Sequence, residues 1–457
     1  MHELEMTAPP SYLSMSAKEI TEEVLQKHES PGRQFWVVIG VLAVFLAFGI
    51  VGLATLISDG FEDTNTWGYH AAVFAYIFTV AQSALMVSIA LRMVKAHWRR
   101  TLARISELFA VVGLFTFLLL IPLLWVLPPT TDRRSIWFEW PGNSPHIWDT
   151  IALGLLVVCG LALLYFASVP DLATVRDHST GSRQNRYRRL ALGWRGSPHQ
   201  WRVLQSGVSI LGGFYFMFLI FTHMMISVDF AMSLVPGWKD AIFPAYHAII
   251  GLQCGVAIML VTMFILRWKG GLKGYLEVDH FWNLSKLLLA LCLLWFYFWW
   301  SGFYTYWYGR MPAEQSVIRF LMTESYQIPF YLSFALCFVT PFVILMWNVV
   351  RKTIWGPTLA ASIVLVGNLF NIMRFYVPAF SIEDNTLHAL EALPPANTPG
   401  GVDFLIVVGA ISGAVLFYML GTRIFPILSI WEIREGLLLQ RVRTLMKINI
   451  KVLAKPE

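Results

Sequence analysis

Ten stretches of roughly 20 apolar residues follow one another along the chain, near 35–57, 71–91, 105–127, 149–169, 203–227, 245–266, 284–306, 327–347, 357–377 and 402–422. At a rise of about 1.5 Å per residue each is long enough to cross a hydrocarbon layer of about 30 Å. Lipid offers the backbone no hydrogen-bond partner, so each stretch must close its own bonds as a helix. A membrane barrel would instead show short strands of alternating polarity. The pattern predicts an all-α, polytopic membrane protein: a polar arm over 1–34, a transmembrane domain over 35–425 and an amphipathic tail over 426–457.

Charge orients this picture. Of the 34 lysines and arginines, 28 fall in the two termini and in every second loop, while the intervening loops hold only Arg133, Arg134, Lys239, Arg310 and Arg319. Basic residues remain on the cytoplasmic side during insertion, so both termini are expected there. Composition agrees: 57% of residues are hydrophobic, 14% are charged and the mean hydropathy is +0.60, whereas a soluble domain carries roughly a quarter charged residues. The net charge of +6 reads as topology and contact with anionic lipid, not as a nucleic-acid surface. Residues 1–33 are polar and lack a short apolar core, so no cleavable signal is expected and the first span stays in the mature chain. Cys159, Cys254, Cys292 and Cys337 are scattered through the spans without any CxxC or CxxCH run. They offer neither an iron–sulfur site nor a covalent haem site, and read as packing residues.

Outside the spans, residues 184–192 within the long basic loop 170–202 suggest a short surface helix, and residues 431–450 an amphipathic basic helix along the inner interface. The Pro/Gly-rich segment 378–401 reads as an ordered loop or a docking surface. Aromatics make up 15% of the chain, with 19 tryptophans, and thicken toward the outer end of the seventh span. An interfacial belt accounts for most of that; an aromatic quinone pocket is the alternative.

Ionisable groups inside hydrocarbon are costly and so mark function. Helix rise places His223, Asp229, His247 and Arg374, from three helices, in one layer near the outer face. Arg374 follows Asn368 and Asn371 at helical spacing. An arginine near a carboxylate suits a buried pair, and histidine exchanges protons near neutral pH. The bland alternative has Arg374 snorkelling outward and Asp229 ending its helix in water. Near the inner face, Glu107 is positioned to pair with Arg104 at i, i+3 or to open a proton path through Ser206, Ser209, Thr222 and the tyrosines of span seven. Lys286 opens span seven, and Asp149 and Asp171 cap opposite ends of span four. His223 and His247 are also the one pair at matching depth for a b-type haem.

Three strings carry a family resemblance: "HIWDTIALGLLVVCGLALLYFASVPDLATVRD" (146–177), "RYRRLALGWRGSPHQW" (186–201) and "THMMISVDFAMSLVPGWKDAIFPAYHAIIG" (222–251). With "NLFNIMRFYVPAF" (368–380) they resemble the membrane subunits of bacterial alternative complex III, within the polysulfide-reductase membrane-subunit (NrfD/PsrC) family, over roughly 67–425. The resemblance implies a ten-helix protein of the bacterial inner membrane with two four-helix bundles. It implies work in a quinol:electron-acceptor oxidoreductase beside a paralogous membrane subunit, an iron–sulfur/molybdopterin-like subunit, a multihaem c-type cytochrome and small membrane subunits. By position, His223, Asp229 and Arg374 match the family motifs. The paralogue that forms the quinol pocket carries a histidine-containing element after its third helix and a glutamate before the motif arginine. Here the corresponding places hold "LLWVLPPTTDRRSIW" (123–137) and Met373.

The expectation is therefore the second paralogue, a subunit without redox centres of its own that contributes a proton path. His223, Asp229, Arg374 and His247 form its outer group, and Glu107, Lys286 and Asp171 its inner candidates. Clusters and haem would belong to its partners. Direct oxidation of menaquinol or another quinol is the competing reading; a secondary transporter or a scaffold are those from another class.

Overall fold

The computed structural model describes residues 11–127, 146–382, 387, 389–445 and 448–453, with side chains described as far as 439. The short helix α1 (Ala17–Glu29) and the first span α2 (Arg33–Asp59) lead to α3 (Gly68–Met93). The third span is built from α4 (Ala103–Glu107), a 3₁₀ turn over Leu108–Val111 and α5 (Val112–Val126). Then come α6 (His146–Asp177), the surface helix α7 (Gly181–Leu190), α8 (Pro198–Asp229), α9 (Phe243–Trp268), α10 (Val278–Gly309) and α11 (Pro312–Ile318). The eighth span joins α12 (Gln327–Phe334) to α13 (Thr340–Met346) through a π-helical turn at Ala335–Val339. After α14 (Asn348–Arg351) the last spans are α15 (Trp355–Phe380) and α16 (Gly401–Ile424). Ten helices among the described residues are long and apolar enough to cross a membrane, and each coincides with one of the ten apolar stretches, α6 running eight residues beyond its stretch and α10 starting six before.

The spans group by contact. The second to fifth touch in a closed ring (α3 to α5, α5 to α6, α6 to α8, α8 to α3), and the sixth to ninth in another (α9 to α10, α10 to α13, α13 to α15, α15 to α9). The rings share the contacts of α3 with α9 and α15, and of α8 with α9. Helix α3 is buried along nearly its whole length and is the axis of the molecule. Helices α2 and α16 pack on each other beside it through Gly49 and Gly409, where a side chain on either would meet the other's backbone. Exposed Val, Leu, Phe and Trp side chains cover the outer faces of α2, α8 and α10, as expected of surface that lipid solvates.

Two expectations need correction. The tail is not one helix over 431–450: α17 covers only Ile430–Leu438, and the chain then turns back as an antiparallel hairpin, β1 (Gln440–Leu445) with β2 (Ile448–Leu453), Gln440 opposite Leu453. Thr444, Ile448 and Ile450 favour strand over helix at that point. Nor does α8 carry a polar path: Ser206 and Ser209 are exposed on its outer face, and only Thr222 is buried, bonding the Ala152 carbonyl at 3.3 Å. The segment before α16 is an ordered loop, as its sequence suggests. Asn397 accepts from Tyr69 at 2.9 Å, donates its amide to Tyr326 at 3.1 Å and reaches Asn65. The stretch 128–145, with Arg133 and Arg134, and residues Glu383 and Asp384 lie outside the described residues.

Candidate functional site: a buried histidine relay and an arginine–carboxylate cluster

Close helix packing creates the outer site. Gly251 and Gly255 on α9 form a GxxxG pair against α3, the small-residue device that lets membrane helices approach. A methyl on Gly251 would lie 2.6 Å from both His223 Nε2 and Ser83 Oγ, and one on Gly255 would run into the Ser83 backbone. Into this gap α8 directs His223, and α9 directs His247 one turn from Gly251.

The result is a continuous chain of four buried side chains from four helices. Ser83 Oγ lies 3.1 Å from His223 Nε2, His223 Nδ1 lies 3.0 Å from His247 Nδ1, and His247 Nε2 lies 3.0 Å from the Tyr376 hydroxyl. Each neutral imidazole has one N–H donor and one bare acceptor nitrogen. Two consistent polarities follow. In one, Tyr376 donates to His247, His247 to His223 and His223 to Ser83; in the other every bond is reversed. Passing from one to the other carries a proton along the line, and both end states satisfy every group. The 3.0 Å separation is that of a direct hydrogen bond between the two rings.

Two carboxyls stand beyond Tyr376. Asp149, at the start of α6, lies close enough for its charge to act on the Tyr376 hydroxyl, and it lies beside Asp229 at the end of α8. Both are fully buried. Two adjacent buried carboxyls cannot both ionise cheaply, so such a pair favours keeping one proton between them.

Arg374 belongs to a different neighbourhood. Its Nε donates to Asn371 Oδ1 at 3.0 Å, its guanidinium lies over the Phe375 ring at 4.0 Å and beside Tyr246, and NH1 and NH2 meet no well-formed acceptor among the described residues. It lines a small cavity of about 40 Å³ walled by Trp238, Phe243, Trp299, Phe303 and Tyr306. The expected meeting of Asp229 with Arg374 is thus replaced by the meeting of Asp229 with Asp149. Another polar knot lies deeper: Asn368 donates to Gln253 Oε1 at 3.0 Å, and Gln253 to the Cys337 carbonyl at 2.9 Å.

At the opposite end of α3 is the inner cluster. Arg104 bonds Glu107 at 3.0 Å and Asp171 at 3.0 Å, and it also donates to Ser168. Arg92 joins Glu107 and, at 2.5 Å, Glu432 of α17; Arg99 lies 3.8 Å from Glu432, and Arg100 3.1 Å from Glu435. Four guanidiniums therefore face the four carboxylates of Glu107, Asp171, Glu432 and Glu435, formally neutral in sum. Burial opposes the charge on Glu432, but Arg92 and Arg99 more than offset it and hold its carboxyl below the usual range. Asp171 also accepts from the Trp431 amide at 3.0 Å and Ser429 Oγ at 3.2 Å, so the tail is tied to α6.

Between the two sites runs one polar stripe. The Ser106 hydroxyl donates to the Ala84 carbonyl at 2.7 Å and accepts from the Ser88 amide at 3.1 Å, standing inside the α3 backbone ladder. Lys286 takes no part: it is exposed, 3.0 Å from Asn283 Oδ1 and 3.5 Å above the Trp282 ring. Sequence reasoning missed Ser83, Tyr376 and the Asp149–Asp229 contact. Tyr376 stands eight residues after Asn368, two helical turns along one face, and that spacing was the available signal. Neither a scan of protein-family models nor a search of curated proteins finds a match for the chain.

Proposed function

We propose that this chain is a proton-handling membrane subunit of a quinol-oxidising electron-transfer complex of the alternative complex III type, and that it binds no redox centre itself. The observation that carries the proton role is the Ser83–His223–His247–Tyr376 line running to the Asp149–Asp229 pair. The complex type rests on the resemblance over 146–251 and 368–380. In this reading the two contact rings are two four-helix bundles, the termini and the arginine–carboxylate cluster face the cytoplasm of a bacterium, and the Asp149–Asp229 end opens outward. Protons enter near Glu107, pass Ser106 and Ser88, and reach Ser83. The interval from Ser88 to Ser83 is five residues, about 7.5 Å along the axis, which exceeds the roughly 6 Å that two hydrogen bonds through one water can span, so at least two bound waters are needed to bridge it. Charge changes in partner clusters and haems would drive the relay by favouring one polarity over the other.

Purification with natural associates tests the assignment: an iron–sulfur/molybdopterin-like subunit, a multihaem c-type cytochrome and a paralogous membrane subunit should appear. In proteoliposomes of that complex, His247→Phe should abolish proton release while quinol-to-acceptor electron flow continues. Unchanged proton stoichiometry in His247→Phe and in Asp149→Asn would leave only a scaffold.

A second reading, quinol oxidation at this chain, is favoured by Arg374, whose terminal nitrogens face an aromatic cavity. At about 40 Å³ the cavity holds only a few waters, so a quinol ring would require α10 and α11 to move apart. Loss of quinone-site inhibitor binding on Arg374→Leu would support it.

A further inference from the structure

A cavity of about 570 Å³ opens between α6, the loop after α7, the start of α8 and α17. Its size lies within the roughly 300–1,000 Å³ of small-molecule sites. Three tryptophans form one wall: Trp194 meets Trp201 edge-on at 5.0 Å, and Trp201 meets Trp431 at 5.4 Å. The wall is fixed in place, because Trp431 Nε1 donates to the Ala167 carbonyl at 2.9 Å and Arg176 NH1 to the Trp194 carbonyl at 3.1 Å.

The charge around it is uneven. Both acids in the lining are already engaged, Asp177 by Arg176 at 2.7 and 3.0 Å and Glu435 by Arg100 at 3.1 Å. Arg195 and Arg434 also line the cavity, are exposed, and have no side-chain partner among the described residues. Two uncommitted guanidiniums beside an indole wall suit a phosphate ester joined to apolar material. The guanidinium fork matches phosphate oxygens, and indole suits the boundary between headgroup and acyl chain. Apolar surface for such a chain adjoins the cavity: Leu438 at its mouth is 85% exposed, and the outward face of α8 carries Ile210, Phe214 and Met217.

We propose that this cavity binds the phosphate headgroup of an anionic membrane phospholipid, with Arg195 and Arg434 holding the phosphate and Trp201 and Trp431 packing against the glycerol and first acyl carbons. The site lies where α17 docks on α6, so the bound lipid braces the tail that closes the inner cluster. It depends on neither the proton role nor the identity of the complex.

Native mass spectrometry of the purified chain, titrated with phosphatidylglycerol or phosphatidylcholine, tests this. The wild type should retain phosphatidylglycerol preferentially. The Arg195→Gln, Arg434→Gln double variant should weaken that retention about 30-fold, the combined effect expected of two interfacial arginines. A control variant, Arg188→Gln, Arg189→Gln, removes two exposed cations of α7 away from the cavity and should retain phosphatidylglycerol as the wild type does. Equal retention by wild type and double variant, or equal loss in the control, overturns the proposal. Displacement of the lipid by millimolar inorganic phosphate alone would assign the site to a free anion and overturn the lipid.

Discussion

Replacing Arg104 by methionine should cost the protein about 3–5 kcal/mol. Arg104 is fully buried and bonds Glu107, Asp171, Ser168 and the Ala167 carbonyl. Glu107 keeps Arg92, and Asp171 keeps the Trp431 amide and Ser429, so neither carboxylate loses every partner. The balance of four cations and four anions becomes an uncompensated negative charge in a dry interior, which typically costs about 3–5 kcal/mol when one member of a buried pair is removed. Adding Asp171→Asn restores neutrality while keeping an oxygen for the Trp431 amide. The double variant should therefore be more stable than Arg104→Met alone, with a coupling energy on the order of 2 kcal/mol. Reversible unfolding of the four proteins of this cycle in detergent micelles or bicelles measures both quantities. A single-variant loss below about 1 kcal/mol, or additive effects in the cycle, would refute the claim that the cluster acts as one charge-balanced unit.

Three further outcomes are expected. Gly251→Ala should lose about 1–3 kcal/mol by overpacking and break the Ser83–His223 bond, read as a changed histidine signal in nitrogen NMR; Gly213→Ala, which meets open space, should change neither. Infrared difference spectra should show a protonated carboxyl that disappears in both Asp149→Asn and Asp229→Asn, because two adjacent buried carboxyls favour sharing one proton; loss in neither would disprove sharing. His28, buried against Tyr187 at 2.8 Å, is held down to about 4 by burial and then by Arg423 and Arg183. Its folded pKa lies below the unfolded 6.5, so its contribution is complete above pH 6.5 and is lost as pH falls toward 4, about 3 kcal/mol in all. Unfolding measured from pH 7.5 to 4.5 should flatten in His28→Gln, and an unchanged slope there would rule His28 out.

What could be read from the sequence follows from which quantities are one-dimensional. The ten spans were legible because apolar length alone decides whether a helix crosses lipid. Depth was legible for the same reason: His223 and His247 were placed in one layer by counting residues, and they touch. The i, i+3 pairing of Arg104 with Glu107 is local and was also accessible. Rotation about a helix axis is a different quantity. Ser206 and Ser209 lie at suitable depth but face outward, and Asp149 was read as a mere end cap because its direction toward Asp229 depends on how α6 packs on α8. Arg374 and Tyr376, two residues apart on α15, point to different neighbours. Position in the sequence motifs singles out His223, Asp229 and Arg374 but carries no information on which side chain each one meets. The tail hairpin escaped notice because its apolar spacing suits an amphipathic helix as well as a strand.

The strap of α17 across the inner cluster also sets a schedule. Arg92 and Glu432 are 340 residues apart, so at ribosomal speeds of roughly 5–20 residues per second the Arg92 guanidinium waits about 17 s or longer for its last counter-ion. By the end of that interval every span can already be inserted while the charge lock is still open. Synthesis is finished, in the electrostatic sense, only when the carboxyl-terminal end folds back, and a nascent chain cut short before Ile430 would leave the membrane with all ten crossings and an unclosed positive seam.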